Sequence, residues 1–552
     1  MKHFIYITSL IVFSLLPMHS FSNINITPYP KQMTQGKGTF STTNTLTIQS
    51  AKNTGFQNEA IKFVNTISST TSIKAKAIQS KAQITLIEDP TLSAEAYNLT
   101  ITTKKITIKA STPTGLFYAF QTIKKLLPPN VAVGVSDTTI HTISLPTLTI
   151  NDEPRFAYRG FMLDVSRHFF SINEIKHILN LMAIYKMNKF HWHLTDDQGW
   201  RIEIKQYPRL TTIGSKSQNC RFNDMKKGPY WINDQYGPYY YTQQQIKELI
   251  AYAKELHIDI VPEIDMPGHF SAAMAAYPDF SCNPLGQHNV QTYQGGVWDD
   301  VLNVANPKAI EFATNILSEV AQLFPYQYVH IGGDECPTTA WEKNQDCQEL
   351  YTSLQLKSYR QLQSNFISQI CQHLKSLNKK PIVWNESITA QDVDLEKVKQ
   401  TNATIMAWHP CQKSAEMATQ LNLPFIITEY HSATGSYYIN RKQSTLPTEP
   451  SGAGNGDDTV ERCYNYLPIP TNAPTKQHKL CQGVQGTFWT EWVSDLSYLE
   501  YLALPRLIAI AETGWTPQSK KDFKNFTSRM ASDTTMLNIG GYKYAKHIFD
   551  QK

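Results

Sequence analysis

At 552 residues, 41% apolar and 18% charged, the chain has a globular composition and is too long for one simple core, so two or three domains are expected. The formal charge of +5 is small for this length and is not gathered into basic runs, which argues against nucleic acid as a partner. Its 28 Tyr, 24 Phe and 10 Trp supply flat surfaces on which sugar rings stack, and equally supply core.

Residues 1–22 open with Lys2 and His3, run apolar from Phe4 to Leu16 and reach Ser20-Phe21-Ser22, the pattern of a cleaved signal peptide. No cysteine lies at the cleavage point, and no later stretch has the length of a membrane-spanning helix. An exported protein is expected, periplasmic, cell-surface or secreted, with no lipid anchor and no membrane span. The cysteines are Cys220, Cys282, Cys336, Cys347, Cys371, Cys411, Cys463 and Cys481. They show no CxxC spacing for a zinc cluster; export permits disulfides, and spacing does not fix their pairing.

Residues 23–152 carry alternating strand-like runs at 82–87, 97–102 and 105–109, then a helical pattern at 113–127. This reads as a separate α+β domain without a reactive constellation. From 153 to 515 apolar runs alternate with longer helical patterns. Strand candidates fall at 156–164, 188–195, 259–265, 327–333, 381–385, 404–408, 425–429 and 484–490, which predicts a (β/α)8 TIM barrel. Capping boxes at Ser171/Glu174 and Thr242/Gln245, and Asn306-Pro307, mark helix starts. A final apolar helix is expected over 495–511, and residues 431–483 read as a long irregular loop. The tail, 516–552, is helical in pattern and assigned to packing.

Barrels of this kind do their chemistry where strands end. The run His330-Ile-Gly-Gly-Asp-Glu-Cys336 ends strand four in two glycines and two acids. Strict alternation would send Asp334 and Glu335 to opposite faces, and the glycines let the chain bend so that both reach one site. The other strands offer Arg159 and Asp164; His191, His193, Asp196 and Asp197; Glu263, Asp265 and His269; Trp384 and Glu386; Trp408 and His409; Trp489 and Glu491. An acid-lined pocket with Trp walls raises the pKa of a desolvated carboxyl, as a general acid at neutral pH requires. His191-x-His193 offers a competing metal-hydrolase reading, which needs further matched ligands from other strands; His269 and His409 exist, but their flanking residues give no reason to bring them together. A silent glycan-binding barrel is the other rival, though binding alone has no use for a proton donor.

Five stretches together resemble the β-N-acetylhexosaminidases of glycoside hydrolase family twenty: 159–170, 191–201, 262–269, 330–335 and 489–491. The small domain ahead of the barrel is similar to that family's N-terminal domain. The resemblance implies exo-hydrolysis of terminal N-acetylglucosamine, with N-acetylgalactosamine as a second substrate, from glycans or chitooligosaccharides. It implies no metal or organic cofactor, and a retaining reaction in which the substrate's 2-acetamido oxygen is the nucleophile. Glu335 would be the acid and then the base, and Asp334 would hold the acetamido N–H. Arg159 and Glu491 would bind outer hydroxyls, and Trp384, Trp408 and Trp489 would wall the sugar. Tyr438 would donate to the acetamido oxygen, and His269 with Asp196 would orient Glu335. Where the family usually carries Asp two residues after this tyrosine, the chain has Asn440, an uncharged group that both accepts and donates; this bears on the gluco or galacto preference.

Overall fold

The architecture is that of a computed structural model, which describes residues 24–549 except 50–51, 219–220, 225–227, 233, 293–295, 432 and 451–456. The expected signal peptide lies outside the described residues, as does Cys220.

The N-terminal part is a seven-stranded mixed sheet whose edge partners include Gln32–Thr43 and Thr142–Asp152. Its strand Tyr97–Ile101 alternates buried with half-buried residues, the period of two expected of a sheet covered on one face. Helices Thr54–Thr70 and Pro113–Leu126 pack against it, and Phe63 stacks on Phe120 at 4.4 Å. The second helix starts where a cap residue and a proline dictate: Thr112 accepts from the Gly115 N–H, and Pro113 occupies the first turn.

Eight parallel strands then close into a barrel: Tyr158–Asp164, Lys189–His193, Asp259–Glu263, Tyr328–His330, Lys380–Trp384, Thr404–Ala407, Phe425–Ile427 and Cys481–Phe488. They overlap the eight expected runs, most of them shorter, because the residues past each strand turn out into loops. The first strand is buried at every position, as a strand covered on both faces must be, and it pairs with the eighth, Leu163 opposite Phe488. Both expected capping boxes form, on helices Ile172–Ile184 and Gln243–Glu255. Asn306 caps Pro307–Leu323.

Two expectations change. The helix expected over 495–511 is two, Leu496–Ala503 and Arg506–Trp515, broken at Pro505, which has no N–H to continue the ladder. The 431–483 segment holds short helices at Val460–Asn465 and Thr475–Leu480 and returns to the barrel. There Ile439 N–H donates to the Thr487 carbonyl at 3.0 Å, and Thr487 N–H donates to Tyr437 at 2.8 Å. The tail helix Phe523–Ile539 ties the N-terminal segment to the barrel: Arg529 donates to the Ile26 carbonyl at 2.9 Å and pairs with Glu512 at 2.7 Å. Among the described residues no helix is long and apolar enough to cross a membrane.

Candidate active site

Strand four ends at His330, and the backbone turns at Gly332 (φ 67°) and Gly333 (φ 88°). Both lie in the left-handed region that favours glycine, and a Cβ on Gly332 would fall 1.6 Å from Asp265 Oδ1. The turn brings Asp334 and Glu335 to the lining of one cavity of about 370 Å³. Glu335 itself has φ 41°, a conformation that non-glycine residues seldom take and that recurs at functional sites. Its N–H donates to Glu386 Oε2 at 2.7 Å, which helps hold that turn.

Asp196, His269, Trp384, Trp408, Tyr438, Trp489 and Glu491 line the same cavity, so the structure gathers every residue to which the family resemblance gave a role except Arg159. Trp384 and Trp489 ring centroids are 6.1 Å apart, Trp408 lies parallel to Tyr438 at 6.3 Å, and Tyr438 is 6.4 Å from Trp489. These rings form three sides of a box. Tyr438 reaches it because the flanking residues Tyr437 and Ile439 pair with strand eight. Burial raises the Tyr438 hydroxyl's pKa, so it remains a donor.

Behind the acids runs a chain of alternating carboxylates and imidazoles. His269 Nε2 is 3.4 Å from Glu335 Oε2 and 4.0 Å from Asp334 Oδ2. Its Nδ1 faces Asp196 at 3.2 Å and Asp197 at 3.0 Å. Sequence alone left open which of these aspartates faces inward. Asp196 lines the cavity, whereas Asp197 accepts from the Ser271 N–H and hydroxyl. Asp196 continues to His193 Nε2 at 2.8 Å, and His193 Nδ1 to Glu263 at 2.6 Å. Glu263 also lies 2.9 Å from His191 and 3.0 Å from His330, and accepts from the Trp384 indole N–H at 2.8 Å. The two histidines of the metal reading therefore share a buried carboxylate, and neither they nor Glu263 line the cavity.

The charge states differ from expectation at one point. Burial, reinforced by Glu386 and Glu335, pushes Asp334 up to about 8 against the pull of His269. Glu335 goes the other way: its contact with His269 outweighs desolvation and holds it below the usual carboxylate range. The raised carboxyl is thus Asp334, because Glu335 is the more exposed of the two, its side chain 41% accessible against 10%, and stands nearer the imidazole. Burial would lower His269, but Asp196 and its other acidic contacts raise it well above an ordinary histidine. Burial also lifts Glu491 to about 7, opposed by Arg167.

Arg159 corrects the sequence reading. It is the second residue of strand one, far from that strand's cavity end, and it is fully buried. Its guanidinium donates to Glu95 at 2.7 and 3.1 Å, to Tyr118 at 2.9 Å, and to the Lys186 and Phe156 carbonyls at 2.8 and 2.7 Å. That engages the whole five-donor set in joining the two domains. Arg167, three residues past the end of the same strand, does line the cavity. It is aimed by Asp164 at 3.3 Å, Asp196 at 2.8 Å and Gln198 at 2.7 Å, and lies over the Trp489 ring at 5.1 Å. Sequence reasoning also passed over Tyr430, Arg441 and Trp492, which line the cavity from loops.

Residues 156–518 match the model of Glycosyl hydrolase family 20, catalytic domain, and residues 23–153 match that family's domain 2. The chain is 35% identical to the beta-hexosaminidase of Porphyromonas gingivalis over 94% of its own length, and spans 64% of that protein. It is 35% identical to the beta-hexosaminidase of Vibrio furnissii, over 78% of this chain and 67% of the other. Among solved structures, the GH20 exo beta-N-acetylglucosaminidase of Vibrio harveyi in complex with N-acetylglucosamine superposes with a TM-score of 0.79 at 30% identity, covering 94% of this chain and 78% of that one. An acid pair on a Gly-Gly turn, an aromatic box and both family domains in order lead to one assignment: the chain belongs to glycosyl hydrolase family 20.

Proposed function

We propose that this chain is an exported, exo-acting β-N-acetylhexosaminidase that removes terminal N-acetylglucosamine, with N-acetylgalactosamine as a second substrate, from glycans or chitooligosaccharides by a retaining, substrate-assisted mechanism. The observation that carries the reading is the pair Asp334-Glu335 entering one aromatic-walled cavity from a single turn. Two acids adjacent in the chain do not flank a sugar ring from opposite faces, as an enzymic nucleophile and an acid would have to. They suit a division in which one protonates the leaving oxygen and the other steadies a group that the substrate supplies.

In this reading Glu335, reachable from the cavity and touching His269, donates a proton to the glycosidic oxygen. The acetamido carbonyl oxygen attacks the anomeric carbon as the bond to the leaving group breaks, giving an oxazolinium ion. Asp334 accepts the acetamido N–H, which satisfies the otherwise unbonded Oδ1 and favours its carboxylate form as positive charge develops. Tyr438 donates to the acetamido oxygen and aligns it, with Trp384, Trp408 and Trp489 packed around the methyl group and ring. Glu335 then takes a proton from water as that water opens the ion, and configuration is retained. Arg167, in the place first given to Arg159, and Glu491 hold the outer hydroxyls. A cavity of about 370 Å³ is at the small end for ligand sites and suits one terminal sugar.

The test compares 4-nitrophenyl β-glycosides. The 2-acetamido sugar is expected to be cleaved and the 2-hydroxy sugar to be cleaved at least roughly 10²-fold more slowly. Glu335→Gln and Asp334→Asn are each expected to lose roughly 10²–10⁴-fold in kcat while still binding product. Equal rates on the two sugars, or full activity in either variant, would overturn the reading.

A further inference from the structure

Two helices from different domains face a second cavity, of about 270 Å³, which shares no lining residue with that of the acid pair. From the N-terminal domain, helix Pro113–Leu126 contributes Gln121 and Lys124, three residues apart and so on one helix face. From the barrel, helix Ile172–Ile184 contributes His177 and Asn180 at the same spacing. Tyr542 of the tail closes the cavity, its ring stacked on His177 at 4.2 Å. The N-terminal domain, the barrel and the tail therefore meet here.

Several polar groups of this cavity want a partner. Gln121 is 5% exposed, yet its amide bonds to no other group among the described residues. A buried amide is nearly always bonded, so this one marks a place for a ligand. Asn180 accepts from the Tyr252 hydroxyl at 2.7 Å through its oxygen, which leaves both of its amide N–H groups. Lys124 is partly buried and forms no ion pair among the described residues. Burial, reinforced by Lys62 and opposed by Glu59, brings its ammonium down to about 8.

The neighbouring acids are committed elsewhere. Glu59 pairs with Lys62 at 2.8 Å and His257 at 3.1 Å, and Glu500 with His177 at 2.8 Å. Asp533, in the adjoining cavity that Lys124 also borders, is taken by Lys125 at 2.8 Å and the Tyr185 hydroxyl at 2.9 Å. No carboxylate stands among the described residues that line the 270 Å³ cavity. It thus combines an ammonium lacking a counter-charge, amides with spare donors, and no negative group.

We propose that this cavity binds a small oxyanion, a phosphate or a carboxylate group, held by Lys124 with Gln121 and Asn180 donating beside it, and that the bound anion braces the N-terminal domain against the barrel. Hydrogen bonds to an ionised oxygen are the strong ones, and Lys124 has donors that no protein oxygen claims. Its ammonium is a compact charge without the fixed fork of a guanidinium, so either oxyanion suits it. The site is assembled from two domains and so exists only in the folded chain, and an anion that fills it stabilises that chain by mass action.

The experiment measures the thermal unfolding midpoint of the full chain in phosphate, in acetate and in chloride at equal ionic strength and neutral pH. It repeats this for Lys124→Met and Gln121→Leu. Equal ionic strength holds screening constant. Phosphate also stabilises proteins by exclusion from their surfaces, an effect the variants keep, so the quantity that counts is the gain over chloride compared between proteins. In phosphate, acetate or both, the native gain is expected to exceed that of at least one variant by about 2 °C or more. A difference in phosphate alone assigns the site to phosphate groups, and one in acetate alone assigns it to carboxylates. If Lys124→Met does not fold, Gln121→Leu decides. Gains that match in the native chain and the variants with both anions overturn the inference. The outcome leaves the hexosaminidase reading untouched, since the two cavities have no residue in common.

Discussion

Two arginines with opposite duties stand at the two ends of strand one, Arg159 within it and Arg167 just beyond it. Arg159, at its start, is sealed between domains, with donors engaged by Glu95, Tyr118 and two backbone carbonyls, and its cation lies over Trp515 at 5.1 Å. Arg167, just past its end, is held by Asp164, Asp196 and Gln198 with one face turned to the cavity. Burial alone would push Glu95 up, and Arg159 overcomes this and holds it below the usual carboxylate range. The same residue type therefore fastens the fold at the strand's amino end and lines the cavity just past its carboxyl end. In a barrel, position along the strand decides between the two.

The sharpest way to break this comparison is to remove each guanidinium in turn. Arg159→Met leaves the partly buried Glu95 without its paired guanidinium and the Lys186 and Phe156 carbonyls without their donor, which is expected to cost about 3 kcal/mol of stability, read as a fall in the denaturant midpoint. The folded fraction should keep its kcat/KM, since nothing in the cavity is touched. Arg167→Met is expected to do the reverse in activity, losing about 10²-fold in kcat/KM on the 2-acetamido sugar. An Arg159 variant that stays fully stable, or an Arg167 variant that stays fully active, would show that the two ends are not so divided.

The eight strands were legible because each is a short apolar run between turn signals, and the acids at the strand ends were legible because barrels present their loops there. Asp334 and Glu335 could be joined because Gly-Gly allows only a few reasons for standing before them. Arg159 misled because its motif drew attention from its register: as second residue of a strand it lies at the wrong end. Arg167 stood inside the same quoted stretch, past Asp164, and register alone would have selected it. Tyr430 stood just past strand seven, where its N–H donates to the Trp408 carbonyl, and strand position alone would have offered it; Arg441 had no such signal, because its long return loop comes back to the barrel through the pairing of Tyr437 and Ile439 with strand eight. The direction of the Glu335 shift was likewise out of reach, since it depends on an imidazole brought 3.4 Å away from another strand.

His269 links the acid pair to the buried chain that reaches Glu263, and His269→Gln tests that link. In the native site the imidazole's positive charge lowers both Glu335 and Asp334. Removing it raises both carboxyls, so their protonated forms persist to higher pH. The profile of kcat/KM against pH is expected to move to higher pH, with kcat at the optimum falling about tenfold. A fall in kcat with an unmoved profile would reduce His269 to a packing role.

The smallest expected effect is on stability, and it separates the cost of the acid pair from its use. Asp334 has a folded-state pKa near 8 against an ordinary 3.8, set first by burial. Between those values the unfolded chain has already lost the proton that the native chain retains, so the native state binds more protons and its stability falls as pH rises. At pH 8 and above the native site must hold a charge in a desolvated position, next to Glu386 and Glu335. Asp334→Asn removes that ionisation, and is expected to stabilise the protein by about 1 kcal/mol or more at pH 8 and by less at pH 5, even as kcat falls. The measurement is the denaturant midpoint of both proteins across that range. A gain that is the same at the two pH values would mean that shape, not charge, is what strains the site. A loss at both would mean that the native carboxylate is held by bonds stronger than its burial.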